Sequence, residues 1–410
     1  MEKLNIVRVG GITSATSRFL DLLADERIEK LTIMDYENNI KHLGELLQVA
    51  KFFNIESLLN KMEIKPIKRN IITRGMIRAG SANQYVNSFL SQFDFLHLKK
   101  SLSKLEPKIF WFGDNDFDGS NILLHIFDNV FHHEPKYVRS YKETRYSRKW
   151  EEEYMLRNAD SLIFPHNGYI DFFYELYGIT PRNTYFADLD WRYSKLIDYV
   201  KFMDGGNDKL SKDDCRPHVC ILTGRALSDV SENRSGYRYY YLPIIEELVK
   251  RGVVVHLHAL RIVPDKHGID SYRELSKRTE LLRIEKPLKL VPGENGYSTL
   301  KRYDAGLLHP TVPNEKLDLY KFQCLNIPNR FYEYEIADVV PLIEKGSLPS
   351  LEKICKDKDF GIIYGSYDEL GEKLNDLIKG NLNNKLRRED IADFSDFRNV
   401  LIDAINSIMS

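Results

Sequence analysis

Short apolar runs alternate with longer amphipathic segments along nearly the whole chain. Leu4 to Val9 is an apolar run ended by Gly10-Gly11, and a helical pattern follows from about Ser14 to Leu23. Lys30 to Met34, Pro107 to Phe112, Lys136 to Val138 and Ser161 to Phe164 repeat the theme, with helix-period stretches over 38–53, 81–105 and 119–131 between them. Such alternation marks βα units, and repeated βα units build a parallel sheet covered on both faces.

The pattern breaks at 204–217, where DGGNDKLSKDDCRP is polar, bears glycine and ends in proline, the composition of a linker. It then restarts. His218 to Leu222, Val253 to Leu257, Lys289 to Val291, Ala305 to Leu308, Val339 to Ile343 and Gly361 to Tyr364 read as strands. Gly236 to Arg251, Ser271 to Arg283 and 384–409 read as helices. The predicted division is a first domain over 1–204, a linker over 205–217, a second domain over 218–380, and a helix over 384–410. The fold class is α/β, with two Rossmann-like parallel-sheet domains facing a cleft, a favoured place for a ligand.

Composition narrows the function. At 410 residues the chain exceeds one ordinary core, and 43% hydrophobic with 29% charged residues describes a soluble globular protein. The net charge is −1 and each half is close to neutral, which argues against nucleic acid as a partner. Cys215, Cys220, Cys324 and Cys355 match no zinc spacing and are too few for a disulfide framework. Reduced structural thiols in a cytoplasmic protein are expected. The start MEKLNIVRVGG has no apolar core of signal-peptide length, and no run approaches the roughly 18 residues that span a bilayer. Contact with a membrane, at its inner face, would be peripheral.

The segment 302–343 carries the most chemistry. The strand at Ala305 stops at His309-Pro310, and after a polar loop a helix opens behind Pro328 with Asn329, Arg330 and Glu333 in its first turns. Ligands bind outside the carboxyl ends of strands in open α/β sheets, and helix N-termini favour anions. Arg330 and Glu333 are three residues apart and share a face. A guanidinium at a helix N-terminus opposes the dipole, so an anionic partner explains it better than the dipole does. The bland alternative is an ordinary surface pair.

Four segments together resemble glycosyltransferases of the GT-B architecture, in particular the large retaining, nucleotide-sugar-dependent group that is family-4-like. They are LTGRALSDVSENRSG at 222–236, YDAGL at 303–307, IPNRFYEY at 327–334 and LRNADSLI at 156–163. The resemblance implies a donor diphosphate held by Arg225, Arg234 and Arg330, and ribose hydroxyls held by Glu333. Asn329 opens the donor helix and His309 ends the strand at the donor mouth; no histidine pair has metal spacing with a third ligand, so no metal or other cofactor is expected. The implied reaction moves a sugar from a nucleoside-diphosphate sugar to a glycan, lipid-linked or other hydroxyl acceptor, as in polysaccharide biosynthesis. In the family the last helix crosses back onto the first domain. The chain departs from the pattern after the helix, where Glu335 to Pro341 holds one extra residue and no glycine, and Leu325 stands near the place of a second glutamate. A sugar-nucleotide epimerase on the same architecture and a catalytically inactive binding protein are therefore the rival readings.

Other candidates keep two readings. Gly10 and Gly11 either admit a phosphate or acceptor, or simply make a tight βα turn. Asp114 and Asp116 follow a strand and either orient or deprotonate an acceptor hydroxyl, or precede an ordinary helix cap. His256 and His258 lie on one strand face and read as satisfied structural histidines. The basic stretches 61–80 and 136–149 either hold an anionic glycan, lipid diphosphate or membrane surface, or are solvated loop charge.

Overall fold

The structure is a computed structural model that describes residues 3–9, 16–36, 43–67, 109–112, 136–140, 153, 156–203, 208–230, 236–308, 324–383 and 385–409. Residues 1–194 with 393–410 form one compact unit, and 195–392 form a second.

In the first unit, β1 (Leu4–Val9), β2 (Ile28–Tyr36), β3 (Met62–Ile67), β4 (Ile109–Phe112), β5 (Lys136–Ser140), β6 (Ser161–Phe164) and β7 (Thr184–Phe186) make one seven-stranded sheet. Its order is β3-β2-β1-β4-β5-β6-β7, and every pair is parallel. Helices α1 (Phe19–Ala24), α2 (Gly44–Phe52) and α3 (Gly168–Tyr177) accompany it. Strands β3 and β7 are absent from the sequence expectation. In β3 apolar and charged residues alternate (Met62, Glu63, Ile64, Lys65), and β7 is only three residues long. In the basic stretch, Lys61 donates to the Asp25 carbonyl at 2.9 Å and Lys65 pairs with Glu63 at 3.3 Å; 68–80 lies outside the described residues.

The second unit opens with helix α4 (Ser194–Phe202), whose residues from Lys195 onward belong to it. Its strands are β8 (His218–Thr223), β9 (Ala226–Leu227), β10 (Val254–Ala259), β11 (Ile262–Val263), β12 (Leu282–Glu285), β13 (Ala305–Leu307), β14 (Val340–Glu344) and β15 (Ile362–Tyr364). The main sheet is parallel in the order β12-β10-β8-β13-β14-β15, and β9 with β11 makes a small separate ribbon. Helices α5 (Leu242–Lys250), α6 (Ser271–Arg278), α7 (Gly296–Leu300), α8 (Asn329–Ile336), α9 (Pro349–Asp357) and α10 (Tyr367–Ile378) connect the strands. Nearly every residue of β8 and β10 is buried, as a parallel strand covered on both faces requires.

Three expectations shift. The strand expected at 289–291 lies at 282–285, because the helix before it stops at Arg278 rather than Arg283. The helix expected over 236–251 is a 3₁₀ turn followed by α5, with Pro243 in the first helical turn, where its missing N–H costs nothing. The last helix, α11, spans Phe394–Met409 and starts at a capping box. The Asp393 carboxylate accepts the Ser395 N–H at 2.9 Å, and Asp396 accepts the Asp393 N–H at 3.1 Å. Within the first unit α11 packs on α1 and the sheet, and Phe394 and Phe397 stack there with ring centroids 4.9 Å apart. The segment read as a linker carries, where described, a helical turn at Ser211–Asp214. Lys209 in it donates to the carbonyls of Tyr303 (2.6 Å) and Asp338 (2.9 Å).

Candidate functional site

Strand order reverses in each sheet beside its first strand, between β1 and β4 and between β8 and β13. The crevice outside the carboxyl ends of strands at such a reversal is where open α/β sheets take ligands. In the second unit the segment after β8 holds Arg225, and the chain that leaves β13 returns as α8.

Gly306 and Tyr334 set the position of α8. A Cβ on Gly306 would stand 2.5 Å from the Tyr334 ring, so only glycine lets that ring lie against β13. The ladder between the two central strands pairs Gly306 with Cys220. Just beyond, the Tyr334 hydroxyl accepts the Leu222 N–H at 3.4 Å and donates to the Leu307 carbonyl at 3.2 Å. The phenol thus satisfies backbone groups of two strands near their carboxyl ends. Burial pushes the Cys220 thiol beneath it up to about 12, so that thiol is a protonated packing group, not a nucleophile.

One helical turn before Tyr334 sits Arg330. It is half-buried, and its Nη1 donates to the Tyr241 hydroxyl at 2.8 Å, with the guanidinium carbon 6.0 Å from that ring's centroid. Among the described residues Arg330 forms no ion pair with a carboxylate. Arg225 stacks over the Tyr239 ring at 4.2 Å. The two arginines, 105 positions apart in sequence, therefore lean on tyrosines two residues apart. Thr223, at the end of β8, fixes the turn that carries Arg225 by donating from its hydroxyl to the Arg225 carbonyl at 2.7 Å. Among the described residues, a Cβ on Gly224 would meet nothing within 4 Å.

Glu333 accepts a 2.8 Å hydrogen bond from the Tyr297 hydroxyl. Tyr297 is buried in the first turn of α7, and Gly296 before it touches the backbone of Lys289: a Cβ there would stand 2.0 Å from that carbonyl oxygen. Asn329, half-buried, is the first residue of α8, and Pro328 at the N-cap offers no side-chain cap.

Of the residues singled out from sequence, the structure thus places Arg225, Asn329, Arg330 and Glu333 around the carboxyl ends of the central strands. Gly10, Gly11, Asp114, Asp116, Arg234 and His309 lie outside the described residues. Tyr239, Tyr241, Tyr297 and Tyr334 were not foreseen. Their sequence signal is a cluster of aromatics near charged residues, which also describes a core, although Tyr334 ends the IPNRFYEY segment. His256 and His258 are buried and hydrogen-bonded. His256 contacts His218 at 2.9 Å and Glu285 at 3.2 Å, and His258 contacts the Lys286 carbonyl at 2.6 Å and Tyr303 at 2.8 Å. Among the described residues no group of three or more His, Cys, Asp or Glu side chains could hold a metal, and no helix is long and apolar enough to cross a membrane.

No protein-family model matches the sequence, and no curated protein matches it either. Solved structures do. HepE from Anabaena, crystallised with UDP, superposes with a TM-score of 0.61 at 11% identity, over 98% of this chain and 100% of its own. A glycosyltransferase from Rickettsia africae gives 0.59 at 12% identity over 100% of both chains. A putative UDP-N-acetylglucosamine 2-epimerase from Listeria monocytogenes gives 0.55 at 12% identity, over 99% of this chain and 96% of its own. At such identities the likeness is one of fold. The chain has the GT-B fold, two Rossmann-like parallel-sheet units, in common with these three structures.

Proposed function

We propose that this protein is a nucleotide-sugar-dependent glycosyltransferase. The observation that carries the reading is Arg330: a half-buried guanidinium beside the carboxyl ends of β8 and β13, hydrogen-bonded to the Tyr241 phenol and, among the described residues, to no carboxylate. A buried charge is costly to leave without a counter-charge. An incoming diphosphate supplies one, with bidentate geometry. Arg225 joins it on the diphosphate, with Arg234 and His309 as further contacts, and the α8 N-terminus adds its dipole. Glu333 accepts from the ribose hydroxyls. Fixed cations stabilise the diphosphate as it departs, and binding aligns the sugar carbon with an acceptor hydroxyl of a glycan or lipid-linked saccharide. Asp114 or Asp116 orients that hydroxyl or takes its proton.

The fold likeness to 2-epimerases keeps one rival in view, an enzyme that rearranges a UDP-sugar with no second substrate. Two experiments decide. A thermal-shift screen against UDP, GDP, ADP and CMP is expected to show stabilisation by one nucleoside diphosphate, lost in Arg330→Ala. A panel of nucleotide sugars, with and without acceptor saccharides, separates the activities: a transferase consumes donor when acceptor is present, and an epimerase does so without it. Indifference to all four nucleotides would overturn the reading.

A further inference from the structure

Arg330 and Glu333 occupy positions i and i+3 of α8, a spacing at which opposite charges on a helix ordinarily reach one another. Here they do not pair. The Arg330 Nη1 is taken by the Tyr241 hydroxyl at 2.8 Å, and Glu333 Oε2 is taken by the Tyr297 hydroxyl at 2.8 Å. Neither phenol is on α8. Tyr241 stands at the N-cap of α5, and Tyr297 in the first turn of α7. Both rings are fully packed, at 0% and 1% exposure. The Tyr241 backbone is tied down as well: its N–H donates to the Tyr272 hydroxyl at 3.0 Å, which donates to the Leu227 carbonyl of β9 at 2.9 Å.

A phenol suits this task. It accepts from a guanidinium and donates to a carboxylate. A carboxylate in place of Tyr241 would hold Arg330 equally well but cancel its charge. An intrahelical Arg330–Glu333 ion pair would have to be broken before either side chain could serve a ligand.

We propose that Tyr241 and Tyr297 are positioning residues that keep Arg330 and Glu333 apart, so that a single helical turn presents a cation not paired with Glu333 to a diphosphate and a carboxylate to hydroxyl groups. This rests on the assignment of the site made above, and deepens it.

Inorganic pyrophosphate is the probe, because it has no ribose and so makes no demand on Glu333. Its binding to the full chain is measured by calorimetric titration for wild type, Tyr241→Phe, Tyr297→Phe, Glu333→Gln, and each tyrosine variant combined with Glu333→Gln. Each phenylalanine keeps the packed ring, and unliganded thermal midpoints report folding. Tyr241→Phe is expected to weaken pyrophosphate about tenfold, because Arg330 is released to Glu333, and Tyr297→Phe to weaken it less. Glu333→Gln alone is expected to tighten pyrophosphate, because it removes a negative charge beside the anion. In the Glu333→Gln background each tyrosine substitution costs less than twofold, because no carboxylate is left to capture the arginine. A loss of equal size in both backgrounds would mean that the phenol merely stiffens Arg330, and overturns the proposal. So does a Tyr241→Phe variant that binds like wild type. Absence of pyrophosphate binding to wild type overturns it too. The glycosyltransferase reading survives that result if a nucleoside diphosphate still binds in an Arg330-dependent way, and falls if none does.

Discussion

The Tyr334 ring occupies the space that a side chain on Gly306 would fill, with its Cε2 and Cζ atoms 2.5 Å from the ideal Cβ position. The neighbour is a rigid aromatic face pinned by its hydroxyl to two strands, so it has no cheap way to withdraw. Gly306→Ala is expected to destabilise the protein by roughly 1–3 kcal/mol, the usual cost of overpacking. The urea midpoint should fall, and nucleotide binding with it, since α8 shifts as the ring is displaced. The loss should shrink when Tyr334→Leu is combined with it, because residues in contact are not additive.

Arg330→Ala is expected to weaken nucleoside diphosphate binding by about 1.5–3 kcal/mol, the range for hydrogen bonds to charged groups. Arg330→Lys should fall between the two, because an ammonium keeps the charge and loses the planar fork. Isothermal titration of the same nucleotide across the three proteins measures both. Equal affinity in all three would remove Arg330 from the site.

Asp21 gives a pH signature within the first unit. Burial raises its carboxyl to about 7, against the hydrogen bonds it accepts from the Ser194 N–H (2.8 Å) and hydroxyl (2.5 Å); Asp393 raises it further and Arg398 opposes. The folded value lies above the unfolded one of about 3.9, so the folded chain holds a proton that the unfolded chain releases. The stability tied to this group is full at acid pH and is lost as pH rises through 7. Asp21→Asn stays neutral, so the dependence, at most about 1.4 kcal/mol per pH unit, should flatten across that window in denaturation curves.

His256 acts in the opposite sense. Burial, reinforced by His218, Arg283 and His258, lowers its imidazole to about 3. Its folded value is below the ordinary one of about 6.5, so the stability it carries is present above that pH and lost as pH falls toward 3. His256→Asn should soften the acid limb of the stability profile at the expense of the contacts to His218 and Glu285. An unchanged acid limb would show that His256 does not titrate with folding.

Much of the second unit was legible from sequence because its central strands are short, mostly apolar runs and α8 begins behind a proline. Arg330 and Glu333 followed from their place in that helix. Strand β12 was missed because Leu282-Arg283-Ile284-Glu285 follows a helical pattern with no glycine or proline between, and periodicity over four residues separates nothing. The β9–β11 ribbon has two residues per strand and no period at all. The tyrosines were beyond reach for a different reason. Tyr239, Tyr240 and Tyr241 are chemically identical neighbours, and only packing decides that the first lies under Arg225 and the third receives Arg330.

Helix α11 has a consequence for the order of events at the ribosome. Its Phe394 meets Phe19 edge-on at 6.1 Å, and Phe397 lies 5.7 Å from Trp111, so its aromatics close a core begun some 280 residues or more earlier. The body whose synthesis starts first therefore stays unsealed until all of 195–392 has been made, and its exposed tryptophan and phenylalanine call for shielding during that interval.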